Sequence, residues 1–319
     1  VVAGLLLILS GSAHAINSEF PGDEGLIRNI SFTEAVSSND SSSCVIPFTR
    51  AGNLMLIKAR ADTTEGNFIL DTGAPHLVLN ITYFRDYPTR QISDGETSSV
   101  TGTTSTILKT TILEFTFGSL QYFRSEADLI DLGHIENSKG VKILGLVGID
   151  MFKQCEMIID YENNLIYLHR IGRKEASKYR SEQLKDPSTY TEIAIEIMEN
   201  RIIAKTELNG KKYKFIIDCA AESNILHSKL PDNVFENVVV TGRIMLTGSG
   251  TQSVEALSGN LTNMRIGGQE IGTLPVLITN LENTCFSLHG CIDGVLGFDF
   301  LSLHKVGFNF VKRKMYIWK

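Results

Sequence analysis

Two residues in this chain stand out for the chemistry they could do together. Asp71 lies in Phe68-Ile69-Leu70-Asp71-Thr72-Gly73-Ala74, and Asp218 lies 147 residues later in Phe215-Ile216-Ile217-Asp218-Cys219-Ala220-Ala221. Each closes an apolar strand at a turn of small residues, which presents one carboxylate at a surface. Brought face to face, two carboxylates resist joint ionisation, so one keeps its proton at moderately acidic pH. The ionised member can then take a proton from a water attacking a carbonyl, while the protonated member donates to the carbonyl oxygen and later to the leaving group. Such a pair titrates as a unit, and neither residue is the permanent base.

The elements that must position the two aspartates are themselves repeated. Leu146-Val147-Gly148-Ile149-Asp150-Met151-Phe152 is matched by Val295-Leu296-Gly297-Phe298-Asp299-Phe300-Leu301 at an offset of 149. The same offset relates Phe117-Gly118-Ser119 to Ile266-Gly267-Gly268, Asp160-Tyr161 to Asn309-Phe310, and Tyr167 to Tyr316. Asn53–Lys58 and Phe68–Leu70 read as strands around a polar turn at Asp62–Asn67, and Arg201–Leu208 with Tyr213–Ile217 repeats them around Asn209-Gly210, a favoured tight-turn pair. Thr111–Phe117, Met157–Ile159, Leu165–Leu168 and Lys314–Trp318 add further strands. Helix is sparse: Asp150 and Asp299 are expected to cap short helices, and Arg180–Lys185 to form another. Many short strands at regular spacing predict a mostly β protein, with two homologous closed barrels rather than a parallel α/β sheet.

Composition narrows the function class. The chain has 319 residues and 43% apolar content, enough for two cores, and its net charge of −6 with no basic run argues against nucleic acid. Val1–Ser10 is apolar and is followed by Ala13-His14-Ala15, which reads as a secretory signal whose basic start is missing. No other stretch approaches the length of a membrane span. Five cysteines suit an exported chain: Cys285 and Cys291 are placed to close a small loop, and Cys219 is expected to be free. No Cys/His set has zinc spacing, so neither a metal nor a cofactor is expected.

Asp71-Thr72-Gly73-Ala74 followed by Leu146-Val147-Gly148 resembles the two signatures of retropepsin-like aspartic peptidases. The duplicated chain resembles a pepsin-type bilobal arrangement built from retropepsin-sized lobes, as in bacterial aspartyl proteases, over about residues 48 to 319. The resemblance implies that Asp71 and Asp218 form the catalytic pair. It also implies that Thr72 locks the two loops together, and that Gly73 allows the tight turn. Ala74, Ala220 and Ala221 complete the loops. Gly148 and Gly297 let an apolar strand pass close beneath each loop. Flaps are expected at Thr101–Thr106, with Gly102 and Thr103 at the tip, and at Thr247–Gln252, with Gly248 and Gly250; neither tip carries the Tyr of pepsin-type flaps. The second lobe departs from the pattern. Cys219 stands for a Thr or Ser and is a weaker donor, and Ala220 stands for Gly. Leu77 and Asn224 stand where a Thr is usual, and Pro75 and Glu222 where retroviral enzymes carry a substrate-binding Asp.

These readings divide the chain into a signal at 1–15, a lead-in at 16–47, a first lobe at 48–170, a linker at 171–190 and a second lobe at 191–319. They predict an exported, secreted or periplasmic, monomeric aspartic endopeptidase acting on extended peptide or protein substrates. After signal removal, neither a membrane nor nucleic acid is an expected partner. Two alternatives stand beside this: a catalytically inactive peptide-binding protein of the same fold, and a homodimeric protease that pairs two copies of the first lobe.

Overall fold

The computed structural model describes residues 8–10, 36–37, 42–92, 97–99, 102–104, 107–248, 254–282, 285 and 290–319. The first lobe begins with the hairpin Leu54–Ala61 and Thr64–Leu70. Alternation along it serves two cores: Met55, Ile57, Ala59 and Ala61 point into the barrel, whereas Leu54, Leu56 and Ile69 join a cluster under the helix Gly133–Lys139. The turn is tighter than expected. Asp62 takes φ 51, so strand resumes at Thr64 and not after Asn67.

Six strands close this barrel. Thr64–Leu70 pairs in parallel with Gly145–Val147, which pairs antiparallel with Leu77–Asn80. Leu120–Ile130 and Ile107–Phe117 follow, and Phe115 returns to Ala61. Gly145 is required where it crosses, because a methyl there would overlap the Val78 carbonyl.

The second lobe repeats the cycle with Arg201–Leu208, Lys211–Ile217, Gly294–Leu296 and Asn224–His227. Its last two strands are interrupted, as Leu274–Thr279 with Gln269–Ile271 and Val254–Leu261 with Met264–Ile266. Thr206 pairs with Ile266 to close the ring. The interruption falls at Asn263, φ 62, close to where the first lobe carries its own irregularity at Arg124, φ 51. The hairpin glycines keep the 149-residue offset in conformation, with φ +56 at Gly118 and +59 at Gly267. A methyl on Gly118 would press on Cys44 and Ile46, and one on Gly267 on Thr191 and Ile193.

A third sheet joins the lobes. Its order is Val36–Ser37, Ser43–Pro47, Leu165–Arg170, Cys155–Asp160, Val306–Asn309, Lys314–Trp318 and Tyr190–Met198. Ile158 pairs with Gly307, its own counterpart in the repeat, so the pseudo-twofold axis passes through that pair. The sheet's apolar side chains, among them Met157, Phe308 and Met315, merge the two barrels into one core. Ser43–Pro47 therefore belongs to this sheet, although the sequence assigned it to a lead-in. Of residues 1–15, read in the sequence as a signal, only Ile8–Ser10 is described, paired with Leu246–Gly248; the expected cleavage after Ala15 lies outside the described residues.

Helices are few and short. Asp150 and Asp299 do not cap them: Gly148 and Gly297 hold the cap positions, and the Asp side chains lie inside the first turn. The stretch expected to be helical at Arg180–Lys185 is a single 3-10 turn, Glu182–Leu184. Cys285 and Cys291 form a disulfide, and Cys44, Cys155 and Cys219 are free and buried.

Candidate active site

Each aspartate loop is held from below by the strand that crosses it. Asp71 N–H donates to Val147 O at 3.1 Å and Ile149 N–H to Ala74 O at 2.9 Å; in the second lobe Asp218 N–H donates to Leu296 O at 3.0 Å and Phe298 N–H to Ala221 O at 2.8 Å. Any side chain on Gly148 or Gly297 would overlap the loop carbonyls, of His76 and Ala74 in one lobe and of Ala221 and Ser223 in the other. Asn224 adds a clamp of its own, its Oδ1 accepting from Gly297 N–H at 3.0 Å. Leu77 cannot do the same in the first lobe.

The loops then orient the carboxylates alike. Asp71 Oδ1 accepts from Gly73 N–H at 2.8 Å and Ala74 N–H at 2.9 Å. Asp218 Oδ1 accepts from Ala220 N–H at 2.9 Å and Ala221 N–H at 3.2 Å. The outer oxygens, Oδ2 of both residues, have no hydrogen-bond partner in the protein, and both side chains are fully buried. Burial raises Asp71 to about 6 against the opposing pull of its two backbone N–H donors. Asp218 is raised well above its ordinary value, first by burial and then by the charge of Asp71.

Thr72 and Cys219 link the loops across the lobe boundary. Thr72 Oγ1 donates to Ile217 O at 3.1 Å and accepts from Cys219 N–H at 3.0 Å. Cys219 Sγ donates to Leu70 O at 3.2 Å and accepts from Thr72 N–H at 3.3 Å. Burial pushes the Cys219 thiol far above its usual range, so it keeps the proton that it donates. The thiol thus takes up both bonds that a hydroxyl would make.

Ala220 is absorbed just as locally. Its methyl is fully buried in the first lobe's cluster with Leu54, Ile69 and Ala74. The reverse exchange is closed: a methyl on Gly73 would stand 2.6 Å from Asp218 Cγ. The two loops are related by the repeat but not interchangeable.

Several residues have roles here that the sequence did not state. Glu222 ties the lobes together, accepting from Lys139 Nζ at 2.6 Å and from Asn53 N–H at 3.2 Å. Tyr161 is buried close to Cys219 and Asp218, and burial holds its phenol protonated. Arg201 is buried beside the aspartates. Its signal was available, since a cation opens the apolar strand at the place where the first lobe has Leu54. His76 lies at the loop's edge, its Nδ1 2.7 Å from Asp150 Oδ2. Burial works to raise Asp150, but His76 and Lys153 outweigh it and hold the carboxyl below the ordinary range.

Of the flap residues, Gly102 and Thr103 lie on a short strand paired with Ser98 and Ser99, and Gly248 ends the long strand Val238–Gly248. Gly250 lies outside the described residues. No group of three or more His, Cys, Asp and Glu is arranged to hold a metal among the described residues. A cavity of about 370 Å³ lies elsewhere, under the linker, lined by Glu156, His169, Tyr179 and Arg180 among others. It includes neither aspartate loop.

Two tied aspartate loops beneath a pair of barrels define a class, the aspartic-type peptidases. Residues 204–300 match the family model described as Aspartyl protease. The matched stretch contains Asp218, Cys219, Ala220 and Gly297, the copy whose signature departs further from the pattern. Among solved structures, the chain is similar to the crystal structure of aspartic proteinase from Irpex lacteus, at 11% identity and a TM-score of 0.46, covering 87% of this chain and 97% of that one. No curated protein matches the sequence.

Proposed function

We propose that the chain is a single-chain aspartic endopeptidase in which Asp71 and Asp218 activate one water between the lobes. The observation that carries this is the reciprocal Thr72–Cys219 link, which fixes both loops and leaves Oδ2 of each aspartate without a protein partner. These outer oxygens are the ones that would bind the attacking water. One carboxylate accepts the water's proton while the other donates to the peptide oxygen, and the roles reverse as the amine leaves. The substrate is an extended peptide with apolar side chains at the cleaved bond, paired by main chain with the flap strands. Lobe repetition within one chain supports action as a monomer.

Export belongs to the same proposal. It rests on the apolar Val1–Ser10 run before Ala13-His14-Ala15, and on the Cys285–Cys291 disulfide, which suits an oxidising compartment. Cleavage of an apolar decapeptide library between pH 3 and pH 7, inhibited by pepstatin, is the expected result. Absence of cleavage across that range would favour the inactive peptide-binding alternative. Peptide sequencing of protein recovered outside the cytoplasm should give a mature start after Ala15.

A further inference from the structure

Arg201 is the only buried lysine or arginine among the described residues, at 2% exposure. Its place is set by hairpin register. Ile202 pairs with Ile217, so the next step along the ladder sets Arg201 opposite Asp218. Side chains alternate along strands, and Ile203 and Ile216 share one apolar cluster, so Arg201 and Asp218 emerge on that same face. Its charge acts first on Asp218, then on Glu199 in the preceding turn, then on Asp71. In the first lobe Leu56 pairs with Ile69, which puts Leu54 opposite Asp71. One aspartate therefore faces a buried hydrocarbon and the other a buried guanidinium.

We infer that Arg201 is a positioning residue for the reaction: a one-sided buried cation that keeps the aspartate pair singly ionised. The inference rests on the reading of Asp71 and Asp218 as the catalytic pair. Two carboxyls without solvent both favour the neutral form, and a pair carrying two protons has no base with which to activate water. The other groups facing the pair do not supply charge. Thr72 is a hydroxyl, and burial keeps the Cys219 thiol and the Tyr161 phenol protonated. An arginine stays protonated throughout the working range, so its field favours loss of the first proton from the pair without fixing which carboxyl loses it.

The test compares wild type, Arg201→Met and Arg201→Lys by two readings. Carbon-13 NMR of aspartate carboxyls follows the pair's titration directly, with Asp71→Asn and Asp218→Asn spectra giving the assignments. The profile of kcat/KM against pH follows its use. Removing the cation should move the pair's titration, and the acid limb of the profile, upward by about one pH unit or more. Arg201→Lys should stay close to wild type. An unmoved titration in Arg201→Met, or an equal displacement in Arg201→Lys, overturns the inference. If wild type cleaves nothing at any pH, the catalytic reading fails, yet the NMR titration still decides what Arg201 does to the pair. Arg201→Gln serves the same comparison should Arg201→Met not fold.

Discussion

Thr72 and Cys219 hold each other's backbones: the Thr72 hydroxyl accepts from Cys219 N–H at 3.0 Å, and the Cys219 sulfur accepts from Thr72 N–H at 3.3 Å. A thiol thus completes a lock whose other half is a hydroxyl. Cys219→Ser should keep the lock and the fold. Cys219→Ala leaves Thr72 N–H and Leu70 O unpaired in a fully buried place, at a cost of about 1–3 kcal/mol for each group. Urea unfolding of the two variants measures the difference, and equal stability would show the link to be dispensable.

The glycine asymmetry gives a second expectation. Gly73→Ala drives a methyl into the Asp218 carboxylate, so it should displace the pair and abolish cleavage. Ala220→Gly removes a methyl from the first-lobe cluster and adds backbone freedom, at a cost of about 1 kcal/mol. Its activity should survive. Paired activity and melting measurements check both, and an active Gly73→Ala would contradict the loop geometry.

Much of this was legible in the sequence because repetition made weak signals strong. Gly148 with Gly297 and Gly118 with Gly267 keep an offset of 149, the aspartate loops lie within two residues of it at 147, and the structure sets the members of each pair in matching conformations. Two fully closed barrels follow from short strands at regular spacing. Other features depend on tertiary choices that no local pattern states. Asp62 takes a left-handed conformation and shortens a turn that polar composition made look long. Asp150 was read as a cap from its place after Gly148, but His76, 74 residues away, claims its carboxylate. Glu222 looked like a lost substrate contact until Lys139 and Asn53 came to it from the other lobe. Cys219 and Ala220 looked like defects, because their partners belong to the opposite lobe.

The Lys139–Glu222 bridge is an interlobe strut with 13% and 5% side-chain exposure. Lys139→Ala leaves a buried carboxylate without its counter-charge, held only by Asn53 N–H, and should cost about 3–5 kcal/mol. Replacing both partners with Met should recover most of that loss. A double-mutant cycle in urea measures it, and a single-variant loss below about 1 kcal/mol, the usual value of an exposed pair, would place the bridge in solvent.

Burial of the aspartate pair makes stability depend on pH. Asp71 is raised to about 6 in the fold, from a reference value of 3.8. Below the reference value both folded and unfolded chains hold the proton. As pH rises toward 6 the unfolded chain releases it first, so the contribution of Asp71 falls and then levels off above 6. Asp71→Asn should therefore be more stable than wild type at pH 7, by an amount on the order of a few kcal/mol, with the gain vanishing near pH 3. Melting curves across that range test the sign.

The central claim is that one chain supplies both aspartates. The most direct measurement is peptide cleavage by purified Asp218→Asn beside Asp71→Asn, with both variants shown to be folded. A single-chain pair predicts that each substitution alone removes activity, by about 10³-fold or more, within the range that acid–base catalysis supplies. Cleavage that persists in Asp218→Asn but not in Asp71→Asn would contradict it, and would point to two first lobes pairing their Asp71 residues.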